Sequence, residues 1–228
     1  MVIGALINAI AILAGGSVGL AVKGRLNDKF SDGVMKALGL CIIAIGLNGA
    51  LNGDIMLLVT SIALGTLTGE VARIDDHLNS FGKWVQDKLK KPGENSTFAQ
   101  GFVTASLLFC VGAMAIVGSI ESGLRDDQGI IITKSIIDGI ASVFLASALG
   151  VGVLFSAFIV FVYQGVIEFF AAGLQDVFTD GLVTQISAVG GVMILGLGVN
   201  MSLGAKIKVA NLLPSFVAAV LYYNFIIA

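Results

Sequence analysis

Charge is spread so unevenly along this chain that seven stretches carry none: 1–22, 37–53, 55–69, 95–120, 139–167, 181–205 and 209–228. Most of them match the roughly 20 apolar residues with which a helix crosses the hydrocarbon core of a bilayer. The chain therefore reads as an all-α, polytopic membrane protein, one integral membrane domain over 1–228 with about eight membrane segments. Only 12% of the residues are charged, against roughly 25% in an average soluble domain. The 30 glycines would weaken helices in water, but in lipid small residues let helices approach closely. A net charge of −2 argues against a nucleic-acid partner, which would need a strongly basic surface.

Positive charge orients the threading. Lys23, Arg25 and Lys29 follow the first run, so 1–22 is expected to be a retained span with its amino end outside, not a cleaved signal. Residues 34–52 return outward, Asn52-Gly53-Asp54 turns, and 55–72 come back in. Arg73, Lys83, Lys88, Lys90 and Lys91 then share the cytoplasmic side with the earlier basic loop. A fourth span at 98–119 ends at the acidic segment Glu121 to Asp127.

The run 139–167 is too long for one upright span and too short for two, and Gly150-Val151-Gly152 interrupts it. A hairpin with arms 135–149 and 152–172 places Lys206 and Lys208 inside and leaves only Arg125 and Lys134 outside. A single tilted span would put Lys206 and Lys208 outside, so the positive-inside count favours the hairpin. Its tip carries no Lys or Arg and its first arm is short, so the hairpin either crosses fully or re-enters from outside, leaving six spans plus the hairpin. Runs 182–201 and 209–228 complete the traverse.

Residues 73–91 place Ile74, Leu78, Phe81, Val85 and Leu89 at three- and four-residue spacing, with Trp84 at the border and lysines at the far end. An amphipathic helix on the inner membrane surface is expected, or a linker packed on the protein. His77 has no second ligand nearby, and Cys41 and Cys110 lie in apolar runs without CxxC spacing, so no metal site is expected. No HExxH, GxSxG or P-loop pattern occurs, and the chain is not expected to be an enzyme.

Gly39, Gly46 and Asn48 recur as Gly191, Gly198 and Asn200, each displaced by 152 positions in similar apolar helices of opposite threading. An inverted-topology repeat, the framework of many alternating-access transporters, would produce this. Polar groups inside lipid are site candidates by their cost. The densest set surrounds the hairpin: Asp138, Ser147, Ser156, and Gln164 with Glu168 on one helical face. Both carboxylates are expected toward the outside, lining a path or lying in the headgroups. Ser106, with Thr104, Cys110, Gly112 and Gly118, marks the fourth span as either a broken helix or a small-residue interface. Asn48 and Asn200 are added as bridges or solute ligands. Gly15-xxx-Gly19 and Gly65-xxx-Gly69 are packing motifs.

The strings ASLLFCVGAMAIVGSIESGL after Gly101-Phe102, KSIIDGIAS at 134–142, FLASALGVGVLFSA at 144–157 and Gln164-Gly165, with Gly15-Gly16 and Asn211-Leu-Leu-Pro214, resemble the YqgA/YdfK-like family of uncharacterised bacterial inner-membrane proteins over essentially the whole chain. The resemblance implies a bacterial plasma-membrane location and no substrate. The functional expectation is a small secondary transporter of an ion or small polar or zwitterionic solute, its pathway lined by the fourth span and the hairpin. A channel and a non-transporting scaffold or sensor are the alternatives. No cofactor is expected beyond a coupling proton or sodium ion. The bilayer and a small solute are the expected partners, and a homodimer is compatible with the size.

Overall fold

Hydrocarbon offers no hydrogen bonds to a bare backbone, so a chain with these apolar runs must satisfy its amides within helices. The computed structural model describes residues 2–23, 28–88, 98–174 and 177–227, and every regular element in them is helical. These are α1 (Ile3–Lys23), α2 (Asp28–Ala50), α3 (Ile55–Ala72), α4 (Ile74–Lys88), α5 (Phe98–Cys110), α6 (Ala113–Arg125), α7 (Gly129–Leu149), α8 (Gly152–Phe169), the short α9 (Ala171–Leu174), α10 (Asp180–Leu203) and α11 (Ser215–Tyr222). A 3₁₀ turn at Val209–Leu212 and a π turn at Tyr223–Ile227 flank α11 and divide the last apolar run.

Six of the apolar segments are long enough to span, and α5 with α6, bent by 59°, makes a seventh. The apolar part of α2, Met35–Ala50, is shorter and supplies the eighth segment. The protein is a polytopic all-α membrane protein. Its periphery carries exposed Ile55, Met56, Val59, Leu67 and Val71 on α3 and Leu6, Ile10 and Leu13 on α1. That is a surface suited to acyl chains and far more apolar than a water-facing one.

Helices pair across the two halves of the chain. Near-contact of backbones is possible only at glycine, and it sets the register of each pair. A Cβ at Gly15 or Gly19 would lie 2.0 Å from Gly139 O or 2.2 Å from Val143 O, so α1 runs parallel to α7. Gly46 stands against Leu195 and Gly191, and Gly39 against Gly198 and Ser202, so α2 runs antiparallel to α10. Gly65 and Gly69 press on Ser215 and Asn211, which makes α3 antiparallel to α11. The Gly15/Gly19 and Gly65/Gly69 motifs are thus packing motifs. Gly4 beside Glu168, and Gly16 beside Leu154, make α1 antiparallel to α8. Ile12, Phe109, Leu145, Leu149, Val160 and Met193 fill the space between these pairs.

The hairpin is longer than its sequence suggested. Its first arm, expected as 135–149, begins at Gly129, and 21 residues make about 31 Å of helix, a full crossing. Its tip sits beside the start of α5, where a Cβ at Gly152 would meet Phe98 O at 2.2 Å. The tip therefore reaches the end of the bundle where α4 hands over to α5, and the re-entrant alternative is set aside. Lys208 Nζ lies 3.9 Å from both Glu70 and Asp76 at that same end, as the hairpin threading requires.

The fourth span is two helices, because Gly112 takes φ 129° at the break. The first turn of α4 is held on the protein: Asn211 Oδ1 accepts from Asp75 N at 2.7 Å. Leu78 is half-buried toward α5, whereas Trp84 is exposed. Arg25, Leu89, Lys90 and Lys91 lie outside the described residues.

Candidate functional site

Lys134 and Asp138 lie one turn apart on α7, and both side chains are 7% exposed. Asp138 is nine residues into the helix, about 14 Å along its axis, so the pair stands near the middle of the span. Here the sequence reading is corrected. Lys134 is expected in an outer loop and Asp138 at the opening of a short arm, but α7 starts at Gly129 and carries both into the interior.

A buried ion pair needs further hydrogen bonds to offset its desolvation. Lys134 Nζ donates to Asp138 Oδ2, and that oxygen accepts a second bond from Asn8 Nδ2 of α1 at 3.0 Å. A carboxylate only accepts, so Asn8 must present its NH₂ group to it. The other N–H of Asn8 donates to Gln164 Oε1 of α8 at 3.1 Å, which fixes the Gln164 amide as well. Two fully buried atoms of opposite kind are left without a protein partner: Asn8 Oδ1, an acceptor, and Gln164 Nε2, a donor.

Glu168, one turn beyond Gln164 and 4% exposed, forms the outer part of the cluster. It accepts from Gly4 N at 2.9 Å, from Ala5 N at 3.2 Å and from the Ser122 hydroxyl of α6. The first amides of a helix have no partner within it, and a carboxylate there also meets the positive end of the helix dipole. Ser122 Oγ also stands 2.9 Å from Gln128 Oε1, extending the polar chain toward the exposed Asp126–Asp127 turn. The carboxylates expected to flank the hairpin are thus joined through α1, Glu168 toward one end and Asp138 near mid-span.

The remaining candidates stand apart. Ser147 and Ser156 are buried and bond within their own helices, to Phe144 O and Val153 O. Asn48 is exposed near the end of α2. Asn200 Oδ1 accepts from Ile207 N at 2.9 Å and its Nδ2 donates to Ile207 O at 2.8 Å, so it pins the turn after α10. The two asparagines thus have different surroundings. Ser106 Oγ is buried without a partner and lines an apolar cavity of about 440 Å³ below the α5–α6 break. Phe102, Cys110, Ile159, Tyr163 and Phe216 form much of its wall.

Four members of the site escaped the sequence reading. Asn8 is the only amide of the first span and was hidden by its apolar run. Ser122 falls in the acidic segment Glu121 to Asp127 expected after the fourth span, Gln128 carries no expectation, and Lys134 is expected outside the membrane. The rule that polar groups in lipid are site candidates, applied to Asn8, would have found it.

Apolar helices that span a bilayer, crossing at glycines and enclosing a charged cluster, define a multi-pass α-helical membrane protein. The chain belongs to the family described as "Protein of unknown function (DUF554)", whose model matches residues 3–224. It is 33% identical over 218 residues to the "Uncharacterized membrane protein YdfK" of Bacillus subtilis (strain 168), covering 93% of this chain and 91% of that protein. It is 29% identical over 224 residues to the "Uncharacterized protein YqgA" of Escherichia coli (strain K12), covering 96% and 95%. No solved structure matches it.

Proposed function

We propose that this protein is a small secondary carrier of the bacterial inner membrane, not an enzyme, with its amino terminus outside. It moves an ion or small polar solute through the cluster formed by α1, α6, α7 and α8. The observation that carries this reading is the Lys134–Asp138 pair at mid-span with Asn8 Oδ1 and Gln164 Nε2 unpartnered beside it. Charged groups at that depth are costly and typically mark pathways.

The register of the antiparallel pairs supports an inverted repeat. In α2 and α10, the two landmark contacts, Gly39 with Gly198 and Gly46 with Gly191, exchange with each other under the 152-residue displacement. The α3–α11 register that sets Gly65 against Ser215 brings Leu64 level with Phe216, again 152 apart. Midway between the Gly4–Glu168 and Gly16–Leu154 contacts stand Ile10 and Phe161, 151 apart. Three crossings centred on nearly one displacement suit a two-fold axis in the membrane plane, with α1, α2 and α3 matching α8, α10 and α11, and rocking of such repeats gives alternating access. The polar cluster breaks this symmetry, because Asn8, Gln164 and Glu168 correspond to Val160, Ile12 and Gly16.

The test is flux into liposomes holding the purified protein, driven by a proton or sodium gradient, across a panel of small polar solutes. Wild type is expected to show saturable uptake, and Asp138→Asn and Glu168→Gln to lower it by about tenfold or more. Absence of flux for every solute, or flux indifferent to both changes, overturns the reading.

A further inference from the structure

We propose that this protein binds a single-tailed amphiphile with an ammonium head, in a cleft bordered by α4, α5 and α10 that shares no lining residue with the charged cluster. The head lies on Asp75 and the tail in the apolar cavity that Ser106 lines. This is a second site, independent of the carrier reading.

A further cavity, of about 270 Å³, lies at the end of the bundle where α4 hands over to α5, lined by Asp75, Asn79, Gln100 and Asn200 among others. It is mostly polar, whereas the cavity of about 440 Å³ below the α5–α6 break is almost wholly apolar. Leu78 and Val103 line both, so the two adjoin across this pair of half-buried side chains. A polar compartment thus stands on an apolar one at the end of a membrane-spanning bundle.

The length fits a lipid of one leaflet. Both cavities border α10, an unbroken helix of 24 residues. Asn200 lines the polar cavity and Ile186 the apolar one, and the 14 positions between them make about 21 Å of helix. One leaflet of a bilayer comprises about 15 Å of hydrocarbon and about 6 Å of headgroup. The apolar volume falls in the range of a site for one drug-sized ligand, enough for one tail.

Charge selects the head. Asp75 is the one charged residue among those that line either cavity. Its Oδ2 accepts from Asn79 Nδ2 at 2.8 Å, and among the described residues it has no cationic partner, because Lys208 stands by Glu70 and Asp76 instead. The Asn200 amide is spent on Ile207. A carboxylate only accepts, so the head must donate, and a cationic donor binds about twice as strongly as a neutral one. A phosphate or carboxylate head would meet Asp75 with like charge. The tail gains little by leaving lipid for an equally apolar cavity, so selectivity rests on the head.

The experiment is photolabelling of the full chain in phosphatidylcholine nanodiscs by hexadecylamine with a diazirine at mid-tail, the labelled residues being mapped by mass spectrometry. Saturable labelling is expected on the cavity wall, at Ser106, Cys110 or Ile159. Unlabelled hexadecylamine should compete about tenfold better than hexadecanol or hexadecyl sulfate. Asp75→Asn should remove that preference and leave competition by hexadecanol unchanged. Ser106→Phe, which breaks no hydrogen bond because its hydroxyl makes none, should fill the cavity and abolish wall labelling. The competition series on the wild type needs no substitution, so a folding defect in a variant does not cloud it. Labelling confined to lipid-facing residues of α3 such as Val59 and Leu67 overturns the proposal. Equal competition by hexadecanol overturns it too, since the cavity would then take any acyl chain, and so does an ammonium preference that survives Asp75→Asn.

Discussion

The α2–α10 crossing and the α1–α7–α8 crossing hold helices together by opposite means. At the first, Gly39, Gly46, Gly191 and Gly198 bring two backbones into contact, and Ile42 and Ile194 are buried beside them. At the second, glycines on α1 likewise seat it on α7, yet Lys134, Asp138, Asn8, Gln164 and Glu168 are buried in the same region. The glycine crossing shows that this chain can bind helices in lipid without charge. The charged cluster is therefore not required by packing, and a carboxylate–ammonium pair at mid-span is an expensive way to obtain what small residues supply.

Substitutions can break that comparison. The largest loss is expected from Asp138→Asn or Lys134→Met, each of which strands the other charge, at about 3–5 kcal/mol. Reversible denaturant unfolding in mixed micelles reads it. Next comes Gly191→Val, whose Cβ would lie 2.5 Å from Ala50 N. Overpacking of this kind costs about 1–3 kcal/mol, and the same unfolding curve should show it with no change in solute binding. Asn200→Ala removes two bonds to Ile207, and about 1–2 kcal/mol of stability should go with them. Asn48→Ala, at an exposed position, should stay within about 0.5 kcal/mol of wild type. A large effect at Asn48 would restore the symmetry of function that the two asparagines were expected to share.

The sequence announced the spans because charge-free runs are a direct record of lipid, and α3 falls on 55–72 as expected. The Gln164–Glu168 face was equally readable, since four-residue spacing stacks side chains on a helix. The start of α7 was not, because a lysine just ahead of an apolar run reads as a loop charge under the positive-inside rule. Lys134 defeats that rule by pairing with Asp138 one turn on. Asn8 was missed because periodicity cannot reveal one amide whose partners lie 130 and 156 positions away. The break at Gly112 left two readings open, because a small-residue helix and a broken one share the same composition.

The central claim is that the buried pair serves transport and not stability, and the double substitution Lys134→Met with Asp138→Leu separates the two most directly. Removing both charges together strands no charge and leaves only the Asn8 N–H that Asp138 accepted without a partner, so unfolding stability should return to within about 1–3 kcal/mol of wild type. Gradient-driven solute flux in liposomes should then be lost from a protein that is still folded. Flux retained at the wild-type rate by that folded double variant would contradict the account.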